Sequence, residues 1–241
     1  QRLRREADVW SRLKHKNILP FFGVCEDLAP TPVLISPFYK SGHVGTYLRK
    51  HPKINRKELV CGVGSGLEFL HANEIVHGDL KVQNVLVDKR GVPHICDFGI
   101  SKILNRQGFT TSSVGTAPYM APELFLVIDG PAQEQSPSTT QSSDVYSFAL
   151  LVLEVRLDQS TDSCHLKIAL QILTSEAPKR RPSKTIVTTE ILAQLQPRRE
   201  DYNVDTVTNA MWSVLTRCWS FEPQWRPPIT EVLGELVAIF T

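Results

Sequence analysis

Apolar residues open the chain at three- and four-residue steps: Leu3, Ala7, Trp10 and Leu13, with Arg and Glu filling the positions between. That period predicts a helix over residues 1–15. Two short apolar runs, Phe21 to Cys25 and Val33 to Ser36, are bounded by Pro and Asp and read as strands. Asn55 with Glu58 three residues later resembles a capping box. The helix it starts should reach about Ala72, with Leu59, Val63, Leu67 and Leu70 on one face. Val85–Val87 and Val92–Ile95 flank Asp88-Lys89-Arg90-Gly91, a hairpin with glycine at the left-handed turn position. Residues 97–123 are polar and lack a period, as an ordered or switchable loop does. Residues 129–143 are low in complexity and read as a mobile surface insertion. From Asp144 to Val155 the chain is almost all apolar, so a helix there is buried on most sides. Further helices are expected over about 164–173, 203–219 and 229–240. The pattern predicts an α+β protein: a small, partly β N-terminal piece followed by a large helical lobe.

The hairpin carries the first chemical argument. Its strands are antiparallel, so residues equidistant from the turn face each other. On that basis Val87 faces Val92 and Val85 faces His94. Asn84, at the start of one strand, then lies beside Asp97, at the end of the other. Asp79 lies five residues before Asn84, in the loop feeding the same end. Two carboxylates and an amide oxygen converge there. Such hard oxygen donors suit Mg²⁺, which takes one or two carboxylates together with substrate phosphates. Lys81 adds a positive charge. A hard metal, a spare carboxylate and a lysine are suited to phosphoryl transfer.

Composition narrows the reading without changing it. Lys and Arg number 27 against 25 Asp and Glu, a net charge of +2, with no basic stripe, so no nucleic-acid partner is expected. The longest apolar run, Phe148 to Leu153, stops at Glu154, far short of the ~20 residues that span a bilayer. No signal peptide is expected from the opening residues. Five scattered cysteines without a C-x-x-C spacing suit a reducing cytoplasm rather than a disulfide framework or zinc cluster.

Three motifs then carry a resemblance. His77-Gly78-Asp79-Leu80-Lys81-Val82-Gln83-Asn84 resembles the protein-kinase catalytic loop, Asp97-Phe98-Gly99 the metal-binding D-F-G, and Ala121-Pro122-Glu123 the closing A-P-E. Their joint order and spacing make the resemblance specific, and it runs over essentially the whole chain. It implies a bilobal fold with a truncated β N-lobe and a large helical C-lobe. Residues 1–36 would be the N-lobe remnant, 37–40 the hinge and 41–241 the C-lobe. It implies ATP and Mg²⁺ as cofactors and a protein as substrate. Asp79 would orient the substrate hydroxyl and accept its proton, and Lys81 would stabilise charge on the transferred group. Asn84 and Asp97 would hold Mg²⁺ on the ATP phosphates. Ser36 would be the gatekeeper, Pro37, Phe38 and Tyr39 the hinge, and Leu86 the floor under adenine. Glu123 would pair with Arg226, and Asp144 would brace the catalytic loop. His77 would pack structurally near Phe98. Glu6 resembles the helix glutamate that pairs with a strand lysine. Lys81 in D-L-K-x-x-N and the stretch Gly115-Thr116-Ala117-Pro118-Tyr119-Met120 resemble the Ser/Thr type, and the lobe composition resembles the tyrosine-kinase-like group.

The sequence departs from that family in three places. The Gly-rich loop and strand lysine, which precede the first helix in the family, are not read here. The chain is therefore expected to be a fragment or truncated gene product that binds ATP weakly at best. Loss of a phosphate clamp costs on the order of 3 kcal/mol of transition-state stabilisation. Gly78 stands where many kinases carry Arg, which suggests activity independent of activation-loop phosphorylation. Residues 156–201 match only loosely. Two other functions stay open: a non-catalytic pseudokinase module, and a small-molecule phosphotransferase, which His77-Gly78-Asp79 fits but the D-F-G to A-P-E segment does not. Simpler readings apply elsewhere. Gly62-x-Gly64-x-Gly66 reads as close helix packing rather than a phosphate loop, and Cys96 as a small buried hydrophobe. Thr110–Ser113 and Ser136-Pro137 read equally as modification sites or plain loop, and Lys179–Arg181 as solvated surface.

Overall fold

The computed structural model describes residues 2–98, 102–103, 119–126, 138–156 and 197–241. The expected helix over 164–173 lies outside them, as do Lys179–Arg181, Thr110–Ser113 and Ser136-Pro137. In chain order the elements are α1 (Arg2–Trp10), β1 (Gly23–Cys25), β2 (Val33–Ile35), α2 (Val44–Lys50), α3 (Arg56–Ala72), β3 (Ile75–Val76), β4 (Val85–Val87), β5 (Pro93–Ile95), β6 (Lys102–Ile103), α4 (Glu123–Leu126), α5 (Gln141–Arg156), α6 (Asn209–Cys218) and α7 (Ile229–Phe240). The strands form three antiparallel pairs, β1–β2, β3–β6 and β4–β5. Few strands lie N-terminal and helices dominate thereafter, an α+β arrangement. No helix among the described residues is long and apolar enough to cross a membrane.

The helix α1 stops at Trp10, earlier than its apolar period suggests. Beyond it the chain tightens into bonds three residues apart, Arg12 N–H to Val9 O at 3.2 Å and Leu13 N–H to Trp10 O at 3.1 Å. Trp10 itself is buried and donates its indole N–H to Leu19 O. That bond draws the following segment back, and residues 17–19 run alongside β5. Ile95 N–H donates to Asn17 O and Leu19 N–H to Ile95 O, both at 2.9 Å. The N-terminal piece is therefore tied into the same ribbon as the hairpin.

At the start of α3, Asn55 accepts from Lys57 N–H at 3.1 Å, while its own amide donates to Glu58 Oε1 at 3.1 Å. The two residues pair side chain to side chain, and the helix N–H that Asn55 receives is that of Lys57 rather than Glu58. Leu59, Val63, Leu67 and Leu70 are all buried. The three glycines on α3 are packing positions. A Cβ on Gly62 would stand 2.5 Å from Pro93 Cγ, one on Gly64 2.7 Å from Leu233 Cδ1, and one on Gly66 2.9 Å from Asn17 O. They let the hairpin, α7 and residue 17 press against α3. Gly62→Ala is expected to lower stability by about 1–3 kcal/mol, because Pro93 belongs to a paired strand and cannot retreat freely. Urea denaturation checks this.

The helix α5 is buried nearly all round, as its sequence predicts, but starts at Gln141 rather than Asp144. Thr140 and Ser143 cap it reciprocally: Ser143 N–H donates to Thr140 Oγ1 at 3.1 Å, and Thr140 N–H to Ser143 Oγ at 2.9 Å. Thr139 and Ser143 are buried. The reading of 129–143 as one mobile insertion is thus corrected at its end: residues 138–143 are anchored, and 129–137 lie outside the described residues. Two further readings change. Residues 102–103 within the expected loop 97–123 pair with β3, a two-residue strand too short for periodicity to reveal. The helix expected over 203–219 is Asn209–Cys218, because Thr208 caps it by accepting from Met211 N–H at 3.2 Å.

Candidate active site

The β4–β5 hairpin sets the site. Its register is Val85 with Ile95, Leu86 with His94 and Val87 with Pro93. This is one residue off the expected pairing of Val87 with Val92. The reason lies in the turn: Asp88 and Val92 pair, leaving the three residues Lys89, Arg90 and Gly91 in the loop, with Gly91 at φ +85°. Asp88 Oδ1 accepts from the backbone N–H groups of Arg90 (2.8 Å) and Val92 (2.9 Å). Burial pushes the Asp88 carboxyl up, but these bonds and the Arg90 guanidinium outweigh it and hold it below the ordinary range. The shift leaves the open end intact. Cys96 N–H donates to Asn84 O at 2.9 Å, and Asp97 follows with its backbone at φ +65°. That left-handed conformation is uncommon for a side-chain-bearing residue and marks a local turn imposed by the surroundings.

Asn84 ends a short 3-10 turn, Val82–Asn84, on the other strand. Its amide donates to Asp79 O at 2.8 Å and to Asp79 Oδ2 at 3.1 Å. Lys81 Nζ donates to the same Oδ2 at 2.7 Å. Asp79, Lys81 and Asn84 therefore form one hydrogen-bonded cluster around a single carboxylate. The carboxamide gives its N–H groups to Asp79 and keeps its oxygen as an acceptor. Asp97 is solvent-exposed at the neighbouring position of the ribbon. A carboxamide oxygen and an exposed carboxylate fit a Mg²⁺ ion completed by water and phosphate. Among the described residues no group of three or more His, Cys, Asp or Glu side chains could cage a metal.

The loop before Asp79 is held from behind. Asp144, on buried α5, accepts from His77 N–H and Gly78 N–H at 2.8 Å each and from His71 Nε2 at 2.9 Å. Gly78 sits at φ +84°, where a residue with Cβ is strained. His77 is fully buried. Its Nδ1 accepts from Asp79 N–H at 3.2 Å, so its Nε2 carries the proton donated to Cys96 O at 3.0 Å. His77 thus bridges the two strands' approaches, and its ring meets the edge of Phe98. Phe98 is buried and packs on Trp10 of α1 at 5.9 Å between ring centroids. Burial pushes the Cys96 thiol up to about 12, Asp97 and Glu6 add to this, and Lys81 opposes it. A thiol shifted this way stays protonated at neutral pH and is a poor nucleophile.

Ser36, Pro37, Phe38 and Tyr39 occupy the irregular link between β2 and α2. The link's end is zipped to β4, with Val87 N–H donating to Gly42 O at 3.0 Å and a bridge between His43 and Leu86. Leu86 is half-buried, Phe38 is 87% exposed, and Tyr39 lies tilted on His94. Glu123 and Arg226 meet: two parallel bonds of 2.8 and 2.7 Å join them, and the Arg226 side chain is fully buried. It also donates to the carbonyls of Ser220, Ser142 and Phe221. Gly99 and Thr116 lie outside the described residues.

Sequence reasoning missed Tyr119 and Glu154. Tyr119 O–H donates to Glu154, and its ring is buried. Burial first, and Glu154 next, raise the Tyr119 hydroxyl, and the Asp79 charge adds to them. One signal was present: Glu154 is an acid on an otherwise apolar buried helix. Burial pushes the Glu154 carboxyl above its ordinary 4.5, with the Tyr119 bond acting against this. The unfolded chain then releases this proton at lower pH than the folded chain does. Between those two values the folded state binds more protons, so Glu154 destabilises the fold as pH rises through the window above 4.5. Glu154→Gln removes that penalty. Melting curves should show the variant gaining on the unsubstituted chain as pH is raised from about 4.5 towards neutral.

The sequence matches the protein kinase domain family over residues 1–236. It is 25% identical over 237 residues to the serine/threonine-protein kinase STY17 of Arabidopsis thaliana, covering 96% of this chain and 36% of that protein. It is 26% identical over 253 residues to the mitogen-activated protein kinase kinase kinase zak-1 of Caenorhabditis elegans, covering 97% of this chain and 30% of that protein. It is 35% identical over 159 residues to the mitogen-activated protein kinase kinase kinase 13-A of Xenopus laevis, covering 64% of this chain and 16% of that protein. The chain spans about a third or less of the length of these curated relatives. The family match over nearly every residue, with the braced loop and hairpin mouth that the structure displays, shows that this chain belongs to the protein kinase domain family.

Proposed function

We propose that the chain is the kinase module of a protein that transfers the ATP γ-phosphoryl group to serine and threonine hydroxyls of other proteins. The observation that carries this reading is the cluster on Asp79, whose carboxylate is held at 2.7 Å by Lys81 and at 3.1 Å by Asn84. A carboxylate fixed this way can orient a substrate hydroxyl and take its proton as the oxygen bonds to phosphorus and the bond to ADP breaks. Lys81, already beside it, offsets charge on the transferred oxygens. Asn84 and Asp97 would hold Mg²⁺, which when bound neutralises phosphate charge. The link Ser36–Tyr39, closed onto β4, and Leu86 would border the adenine. Glu6 of α1 would correspond to the helix glutamate that pairs with a strand lysine in the family. Asp144, His77 and Phe98 position the loop, and the Glu123–Arg226 pair anchors the segment that follows Gly99 and Thr116.

The Ser/Thr assignment draws on D-L-K-x-x-N at Asp79–Asn84 and on the printed names of the relatives, which are serine/threonine or mitogen-activated protein kinase kinase kinases. Incubation with labelled ATP, Mg²⁺ and a generic basic protein, followed by phosphoamino-acid analysis, tests it. Phosphoserine and phosphothreonine are the expected products. Phosphotyrosine alone would overturn the assignment.

A further inference from the structure

On the side of the hairpin away from Asp79, a cavity of about 490 Å³ opens between α3, the β4–β5 turn, α7 and residues 16–17. Its volume falls in the range of small-molecule sites. Its walls are aliphatic: Val92 and Pro93 from the hairpin, Leu233 and Val237 from α7. Val237 is 42% exposed at its mouth, an apolar surface without cover.

The polar groups at this cavity are not balanced. Lys16 has no ion-pair partner among the described residues. Arg90 spends only its Nε on Asp88, at 3.1 Å, and its two terminal nitrogens make no bond among the described residues. Glu58 is the one acid among the described residues of the lining. Its carboxylate accepts from Asn55 and sits in the first turn of α3, where the helix end offsets negative charge. The wall also contains Asn17, 2% exposed, whose amide donates to Pro93 O at 2.9 Å while its Oδ1 is buried without a donor. Unsatisfied buried acceptors are uncommon, and one in a cavity wall marks where a water trapped beneath an occupant would donate the missing bond, its second hydrogen left for an anion above it.

We propose that this cavity binds a small amphipathic monoanion, a medium-chain alkyl carboxylate. Its chain lies on Val92, Pro93, Leu233 and Val237, and its carboxylate meets Lys16 and Arg90. A neutral or cationic molecule of the same chain length would gain the apolar contacts and lose the charge contacts. The site stands apart from phosphoryl transfer and does not depend on it. Occupancy would tie α7 to the turn of the hairpin whose other end carries Asn84 and Asp97.

Isothermal titration of the full chain with decanoate, 1-decanol and decyltrimethylammonium, each below its micelle concentration, tests this. Decanoate should bind at one saturable site and raise the melting temperature. 1-Decanol and the cation should bind at least about tenfold more weakly. The double substitution Lys16→Glu with Arg90→Glu should weaken decanoate about tenfold and leave 1-decanol unchanged. Val237→Trp, at the exposed mouth, should block decanoate while its unliganded melting curve stays that of the unsubstituted chain. Equal affinity for decanoate and 1-decanol, unchanged decanoate affinity after charge reversal, or non-saturating binding would each overturn the proposal.

Discussion

Asp79→Ala is expected to lower phosphoryl transfer by about 10²–10⁴-fold, the usual contribution of a positioned acid–base group. The effect should fall on the rate of transfer and leave nucleotide affinity nearly unchanged. Asp79 Oδ2 takes both Lys81 Nζ and the Asn84 amide, so removing it abolishes the proton acceptor and releases the two groups that it orders. Asp79→Asn separates these roles. It keeps an oxygen for Lys81 but cannot take a proton at neutral pH, so it should be almost as slow as Asp79→Ala. A variant of either kind that transfers phosphate at the unsubstituted rate would remove Asp79 from the chemistry.

Asp144→Ala should produce the largest loss of stability, about 3 kcal/mol. Asp144 is 1% exposed and serves two backbone N–H groups and one imidazole. Truncation takes the Asp144 acceptor from the buried His77 N–H and the half-buried Gly78 N–H, and a buried group stripped of its partner costs about 1–3 kcal/mol. Gly78 is in the left-handed region immediately before Asp79, so slackening there also misplaces the carboxylate. Transfer should fall as well, through geometry rather than loss of a reacting group. Asp144→Asn keeps one acceptor oxygen and should lose less on both counts. Equilibrium urea denaturation reads the stability, and unchanged midpoints for Asp144→Ala would show that the loop is held by something else.

Much of this arrangement was legible in the letters because its causes are local. The hairpin announces itself through Asp88 and Gly91, the buried α5 through its uninterrupted apolar run, and α3 through Asn55 and the spacing from Leu59 to Leu70. The register slipped by one because a three-residue loop and a two-residue loop share the same turn residues, and only the Asp88–Val92 pairing distinguishes them. The union of Asn84 with Asp79 survived that slip because both lie on the same strand's approach. What was hidden was long-range. Residues 17–19 look like a loop, and only β5, more than seventy positions on, makes them strand-like. Tyr119 and Glu154 are 35 residues apart, and no spacing rule joins a loop tyrosine to a helix acid. The glycines of α3 could be read as packing positions, but what packs on them — a proline, a leucine and a backbone oxygen — comes from three separate elements.

The central claim is that the mouth of one hairpin, carrying Asn84 and Asp97, grips the metal of a bound nucleotide. Its most direct measurement is paramagnetic line broadening in ¹⁵N-labelled chain, with Mn²⁺ replacing Mg²⁺ and a non-hydrolysable ATP analogue present. Broadening should be strongest at the Asn84 side-chain amide and the Asp97 backbone, weak at the Asn17 amide, reversed by excess Mg²⁺, and lost in Asp97→Asn. Broadening centred elsewhere, or equal at Asn84 and Asn17, would contradict it.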